Sequence, residues 1–521
     1  MVITLKKTIL LILLITVGLN KNAVAQSTFT AIYQLFNSAS CGNNFSSCHN
    51  SSAPSGLNFN QTEMQVYNSL FNQTPHNTVA TASRKDKLVY PGHPYRSFLF
   101  RKINNGLAFN VDLENGEGVA MPQSSPPLNE KQIELIRQWI IYGAPETGIV
   151  ADTNLIREFY DNSGISTVAN PPLAPNPDEG FQLHLGPKFL ASNTENLSLG
   201  TSPFNRFDVS LDDSVEIYRI ECFVGDGFHH LGFMLLPDSS YNDQIPYGPV
   251  PAIDVFPIFD FDQLEIMSTF MHSEDMHLPN RTAYSFPLNS PMFIGEHYFN
   301  YSMTKVLSCD VYLNVYYQPK NTALHLMKHQ PYNYSDNLNN PPLMIPPDGL
   351  PHMFTEHIVE TTNSETRFVW AMMVHSHSHT LSYDIFMRNS NGTVGEQVYE
   401  VACPEGIPGC PSPFYESTHI PTRYFNDLLP LNTGNGLYRE VTYLNNSSDT
   451  LYAGMYSETD EMLGMAYYYI TDTTGIGSPN SISENFKNEI TVYPNPSSGE
   501  VIFNLESIEN KLPVSITIYD A

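Results

Sequence analysis

Positive charge is the scarcest thing in this chain: 25 Lys and Arg stand against 53 Asp and Glu, a formal net charge of −28 in 521 residues. Such a balance repels nucleic acid and anionic membrane surfaces, which are bound through basic footprints. Charge of either sign is sparse, at 15% of residues, while 41% are hydrophobic and 12% aromatic. That excludes a disordered acidic tail and suits β-rich globular domains. With 39 Pro and 30 Gly, neither collagen-like nor low-complexity sequence applies. At about 150 residues per domain there is room for three or four folded units.

Long apolar runs are also missing. The longest, Ile9 to Leu19, follows Lys6 and Lys7 and precedes Ala23-Val24-Ala25, so residues 1–25 read as a secretory signal cleaved before Gln26. No Cys follows that site, which excludes a lipoprotein signal, and no later stretch approaches the roughly 18 apolar residues of a membrane span. Cysteines number six: Cys41, Cys48, Cys222, Cys309, Cys403 and Cys410. In an oxidising compartment each is expected to be paired or otherwise occupied. Cys403 and Cys410 flank a tight Pro/Gly loop that a disulfide could close. Cys222 and Cys309 are expected to bridge two strands.

The chain divides into blocks. Residues 26–150 alternate helical patterns with polar loops; Glu130 to Tyr142 places Ile133, Ile136, Trp139 and Ile140 at helical spacing and ends at Gly143. A Pro-rich stretch, Val168 to Gly180, reads as a linker. Residues 178–330 and 345–472 are rich in short alternating strands, such as Val215 to Ile220 and Val311 to Val315. The expected class is therefore multidomain and mainly β, with a small helical domain, two tandem β-sandwich (jelly-roll-like) subdomains and a short β module at 486–521.

In the helical block, Cys41 and Cys48 are followed at once by His49. A Cys pair ending in Cys-His is the attachment pattern of a c-type haem, although six residues separate the cysteines here where two are usual. Met121 lies in a Met-Pro loop, where a thioether could take the second axial position. With Val89-Tyr-Pro-Gly-His-Pro-Tyr-Arg-Ser97, Ile136-Arg-Gln-Trp139 and Gly143-Ala-Pro145, the block resembles the cytochrome c-like domains of secreted bacterial proteins. That resemblance implies His49 and Met121 as axial ligands and Cys41 and Cys48 as thioether sites. The alternative is a small Cys41–Cys48 disulfide loop with Met121 in the core.

Three motifs stand out in the β-rich blocks: His229-His230, His377-Ser-His379 and Asp460-Glu-Met462. Residues i and i+2 of a strand share a face, so two imidazoles can meet one ion. Imidazole and thioether are copper donors, the latter suited to Cu(I). With His297 in Gly295-Glu-His-Tyr-Phe-Asn300, these motifs resemble the copper type II, ascorbate-dependent monooxygenases, the family of peptidylglycine α-hydroxylating and dopamine β-monooxygenases. The resemblance implies two copper ions. His229, His230 and His297 would hold an electron-transfer copper. His377, His379 and Met462 would hold the catalytic one across a solvent cleft, hydroxylating a C–H bond of a small-molecule or peptide substrate with O₂. Ascorbate, a redox protein or the haem block would supply electrons. Where the peptidylglycine enzyme grips its substrate carboxylate, this chain has His375, Gly464 and Ala466, so that specificity does not carry over. His375 could pair with His377 instead, but the Leu and strand after His379 favour the later pair. His272 and His277 read as loop histidines.

The tail, Ile490-Thr-Val-Tyr-Pro-Asn-Pro-Ser-Ser-Gly499, resembles the type IX secretion sorting domain, implying that machinery as partner and a secreted or cell-surface address in a Gram-negative cell. The family continues beyond the point where this chain stops, Ala521, which reads as an incomplete open reading frame. The runner-up function is a non-catalytic secreted copper and haem electron-transfer or copper-binding protein. A third is an adhesion β-sandwich with incidental histidines.

Overall fold

The computed structural model describes residues 26–39, 41, 49–52, 55–82, 86–109, 111–123, 125–166, 171–196, 203–209, 211–236, 239–251, 265–270, 272–333, 342–360, 362, 364–401, 422–454, 459–476, 491–493 and 502–504. The expected signal, Cys48, Cys403, Cys410 and most of the sorting segment lie outside these residues. Of the last, Thr491–Tyr493 pairs antiparallel with Ile502–Asn504.

Helix Glu130–Ile141 begins with a capping box. The Asn129 side chain accepts from the Gln132 N–H, and the Gln132 carboxamide accepts from the Asn129 N–H, both at 3.0 Å. Its apolar stripe, Ile133, Ile136, Trp139 and Ile140, is fully buried against Phe29, Ile32 and Phe36 of helix Thr28–Ser38. The block also holds a buried charge cluster, in which Arg101 meets Asp86 at 2.9 Å and Glu117 at 2.8 Å. A further helix, Thr153–Asp161, extends the block beyond residue 150, and its Tyr160 hydroxyl bonds to Glu134 at 2.7 Å.

The mainly β character is as expected. The first β unit packs a seven-stranded sheet, centred on Leu307–Pro319 and Val215–Phe223, against a six-stranded sheet centred on Met292–Asn300 and Phe228–Leu235. Leu183, Ile217 and Leu313 of one sheet share a core with Leu231, Phe233 and Ile294 of the other. The second unit packs the sheet Lys328–Asn333, Gly464–Ile470, Thr366–His375, Arg423–Asn432 against the sheet Pro351–Ile358, Leu437–Leu444, Thr380–Arg388, Val394–Val401.

The two units are not merely tandem. Gly464–Ile470 is buried along its whole length. Its Met465, Tyr467 and Tyr469 enter the second core, while Ala466, Tyr468 and Ile470 enter the first. The neighbouring Thr366–His375 does the same: Val369, Met372 and Val374 face one core, and Trp370, Ala371 and Met373 the other. A bulge between Val369 and Ala371 allows adjacent residues to face the same side. One sheet thus serves two cores.

The described part of the Pro-rich linker, from residue 171, is hydrogen-bonded to the first unit. Asn314 and Gln182 donate to the Leu173 and Pro172 carbonyls at 2.9 and 3.1 Å, and the Tyr317 hydroxyl donates to Pro177 at 2.7 Å. The helical block docks directly as well. Gln138 donates to the Pro187 carbonyl at 2.6 Å, and Gly143 (φ +86°) abuts the Tyr247 carbonyl so closely that a Cβ there would lie 2.5 Å from its oxygen. The expected Cys222–Cys309 bridge is not formed; both thiols are free and buried. The register sets Cys222 opposite Leu313, four residues from Cys309, or about 13 Å along the strand, beyond a disulfide's reach of about 7 Å.

Candidate metal and cofactor sites

His229 and His230 are consecutive on Phe228–Leu235, and consecutive strand residues point to opposite faces. The structure turns both inward with a bulge. His230 lies opposite His297, yet Phe228 lies opposite Tyr298, leaving His229 as the extra residue. Its ring centroid is 5.0 Å from that of His230 and 4.9 Å from that of His297. From the second unit, His375 closes strand Thr366–His375 opposite Gly464, and His377 follows two residues later. His375 lies 4.6 Å from His230 and 5.3 Å from His377; His377 lies 5.9 Å from His229. Five imidazoles from two β units therefore form one cluster. The expected solvent cleft between the two ligand sets is absent among the described residues, because the double-sided sheet brings its end against the first unit.

The outer nitrogens of two rings are held. His297 Nε2 bonds to Glu195 at 2.7 Å, and His377 Nδ1 donates to the Asp460 carbonyl at 3.1 Å. Carboxylate or carbonyl partners of this kind orient metal-binding histidines. The remaining nitrogens, His297 Nδ1 and His377 Nε2, are buried and make no hydrogen bond, as are His230 Nδ1 and His375 Nε2. Buried polar atoms are almost always satisfied, so four such nitrogens in one cluster fit a metal ion. Burial, then the neighbouring imidazoles, holds His230 and His375 well below the usual imidazole range. Burial pushes His377 down to about 4. Neutral imidazole is the ligating form.

Glu461 ties the rest of the motif together. Its buried carboxyl accepts the backbone N–H groups of His377 (2.9 Å), His379 (2.7 Å) and Met462 (3.2 Å), and burial raises it to about 8. His379 and Met462 are half-buried and sit on this carboxyl through their backbones. His375, set aside in favour of His379 on sequence, is inside the cluster. Its signal was the same i, i+2 spacing to His377.

In the helical block, Cys41, His49 and Met121 line one cavity of about 370 Å³, walled by Phe36, Phe59, Phe98 and Leu128. This is a size and an apolar character common to cofactor sites. His49 packs on Phe59 at 4.9 Å and its Nδ1 meets Ser55 Oγ at 3.2 Å. The Met121 loop is fixed from below. Lys102 accepts the Met121 N–H at 2.7 Å through its carbonyl and donates to the Val119 carbonyl at 2.9 Å through Nζ. Cys41, His49 and Met121 are three of the four residues that the haem motif implies, and the fourth, Cys48, lies outside the described residues. Between this block and the histidine cluster runs a stack of rings: Tyr95 on His184 at 4.6 Å and His184 on Tyr312 at 4.1 Å. His184 bonds to Asp310 at 2.7 Å, and the Asp310 carbonyl accepts from Tyr298, the residue after His297, at 2.7 Å.

No protein-family model and no curated protein matches the chain. Among solved structures, the major capsid protein P2 of bacteriophage PM2 is 8% identical, over 57% of this chain and all of that one, with a TM-score of 0.23. The cowpea mosaic virus top component is 9% identical over 56% of this chain and 95% of that one, with a TM-score of 0.25. The broad bean stain virus structure is 9% identical over 58% and 92%, with a TM-score of 0.23. At these TM-scores the likeness carries neither fold nor function. No helix among the described residues is long and apolar enough to cross a membrane.

Proposed function

We propose that the chain is a secreted copper-dependent monooxygenase that hydroxylates a C–H bond with O₂. The observation that carries this is the cluster of five imidazoles with four buried, unpartnered nitrogens, beside the Glu461 carboxyl that holds the Met462 segment. His229, His230 and His297 would hold one copper, and His377, His379 and Met462 the other. Copper supplies one-electron chemistry and an open position for O₂. The chain's own residues do the positioning. Glu195 and the Asp460 carbonyl fix the His297 and His377 rings, and Glu461 sets the backbone from which His377, His379 and Met462 project. Cys41 and Cys48 would attach a haem, and His49 and Met121, which with Cys41 line the helical cavity, would ligate it, giving a one-electron donor in the same chain; ascorbate is the external alternative. The tail motif supports export through the type IX machinery.

The ring contacts favour one other reading, a non-catalytic copper and haem electron-transfer protein, since they leave no cleft for a substrate between the two ligand sets. Metal analysis and a visible spectrum of protein exported from a host that matures c-type cytochromes, with ascorbate-driven O₂ uptake, test both. Two coppers, a sharp reduced haem band and O₂ uptake stimulated by a C–H substrate are expected. Metals without such uptake would leave the electron-transfer reading, and absence of copper would overturn both.

A further inference from the structure

We propose that His375 is a metal ligand and that, with His229 and His230, it forms a three-imidazole site spanning the two β units. The ligand nitrogens of these three residues lie within 4.8 Å of one another, the one such group of His, Cys, Asp or Glu among the described residues. An ion at the centre of a triangle with that edge would be at most about 2.8 Å from each nitrogen, so reaching the usual 2.0–2.1 Å takes an inward shift of about 0.7 Å per ring. Side-chain rotation supplies that without moving a strand. His230 Nδ1 and His375 Nε2 are both shielded from solvent and make no hydrogen bond. A ligated nitrogen needs none.

Three neutral imidazoles without thiolate or carboxylate suit copper or zinc, with Cu(II) the tighter of the two. The site differs from the partition that the motifs imply, in which His375 is not needed and His297 completes the first set. It also has a mechanical consequence. His229 and His230 sit on a strand of the first unit and His375 on the double-sided sheet, so one ion would fasten the sheets to each other. The inference rests on the geometry of the cluster and holds for an oxygenase or an electron carrier alike.

The test uses the full-length exported chain, stripped with chelator and titrated with Cu(II) alone and with Zn(II) alone. His375→Phe should weaken one Cu(II) site by about 100-fold or more, lower the count of coupled nitrogens in the EPR spectrum by one, and reduce the copper-induced rise in Tm. Wild-type affinity and nitrogen count in a folded His375→Phe protein would overturn the proposal. Anomalous diffraction at the copper edge from copper-soaked wild-type crystals needs no variant. A peak bonded to His229, His230 and His375 is expected. A peak on His229, His230 and His297 alone would overturn the His375 site while leaving the proposed function standing, and no copper at all would overturn both.

Discussion

Trp370 is fully buried where the double-sided sheet enters the core of the first unit, packed at 5.1 Å on Tyr424 and 6.4 Å on Tyr468. Its indole N–H has no hydrogen-bond partner, so truncation removes packing and nothing polar. A buried Trp covers up to about 250 Å², which at ~25 cal/mol/Å² gives an upper bound of about 6 kcal/mol; large-to-small substitutions of this kind cost about 3–5 kcal/mol. Trp370→Ala is therefore expected to lose about 4 kcal/mol, and Trp370→Phe less than half of that. With a urea slope of about 3 kcal/mol/M, the Ala variant's midpoint should fall by about 1.3 M. Because the sheet serves both cores, far-UV circular dichroism should show the two β units shifting together in one transition. The chain's other tryptophan, Trp139, lies in the helical core, so fluorescence in Trp370 variants isolates that block. A loss below 1 kcal/mol, or a split in which only one β unit shifts, would refute the shared core.

Gly143→Ala should strain a left-handed backbone and push against the Tyr247 carbonyl. A loss of about 1–2 kcal/mol, read as faster hydrogen exchange at 142–144 and 247–248, is expected, and unchanged exchange would count against direct docking. Asp384 lies opposite both Glu400 and Glu440; burial first, then those carboxylates, pushes it up to about 6. Ionising it in the folded state therefore loses stability as pH rises from about 4 through 6. Asp384→Asn should be more stable at pH 7 by roughly 0.5–1 kcal/mol, allowing for its partial exposure, with the gain vanishing near pH 3.5 in thermal melts. Arg101→Met would leave Asp86 and Glu117 buried without their cation and should cost about 3–5 kcal/mol, seen as early loss of Trp139 fluorescence in a Trp370→Phe background.

Features encoded by short-range pattern were legible in the sequence. The helix ending at Gly143 appears as Glu130–Ile141, and the strands around Val215 and Val311 are where alternation put them. Cys41, His49 and Met121, set apart in sequence, line one cavity. What depends on register was not legible. The bulge that turns His229 beside His230 is a property of the pairing with Met292–Asn300, and nothing in a His-His dipeptide announces it. The choice among His375, His377 and His379 has the same origin: the i, i+2 rule is satisfied by either pair, and the pairing of the strand end, His375 opposite Gly464, is what the sequence does not show. Likewise Cys222 and Cys309 looked adjacent by motif but are offset by the register of their strands. The helix Thr153–Asp161 was missed although Leu155, Ile156, Phe159 and Tyr160 stand at helical spacing; the signal was there but lay beyond the expected end of the block at residue 150.

The docking of the helical block changes the kinetic class of whatever its cavity carries. A domain on a loose tether searches for its partner, and its encounter rate depends on linker length and, at a net charge of −28, on ionic strength. A block locked through Gln138, Gly143 and the Tyr95–His184–Tyr312 stack has no search to make. Transfer from it would be first-order, insensitive to salt and to protein concentration, and set by a fixed distance through bonded and stacked groups.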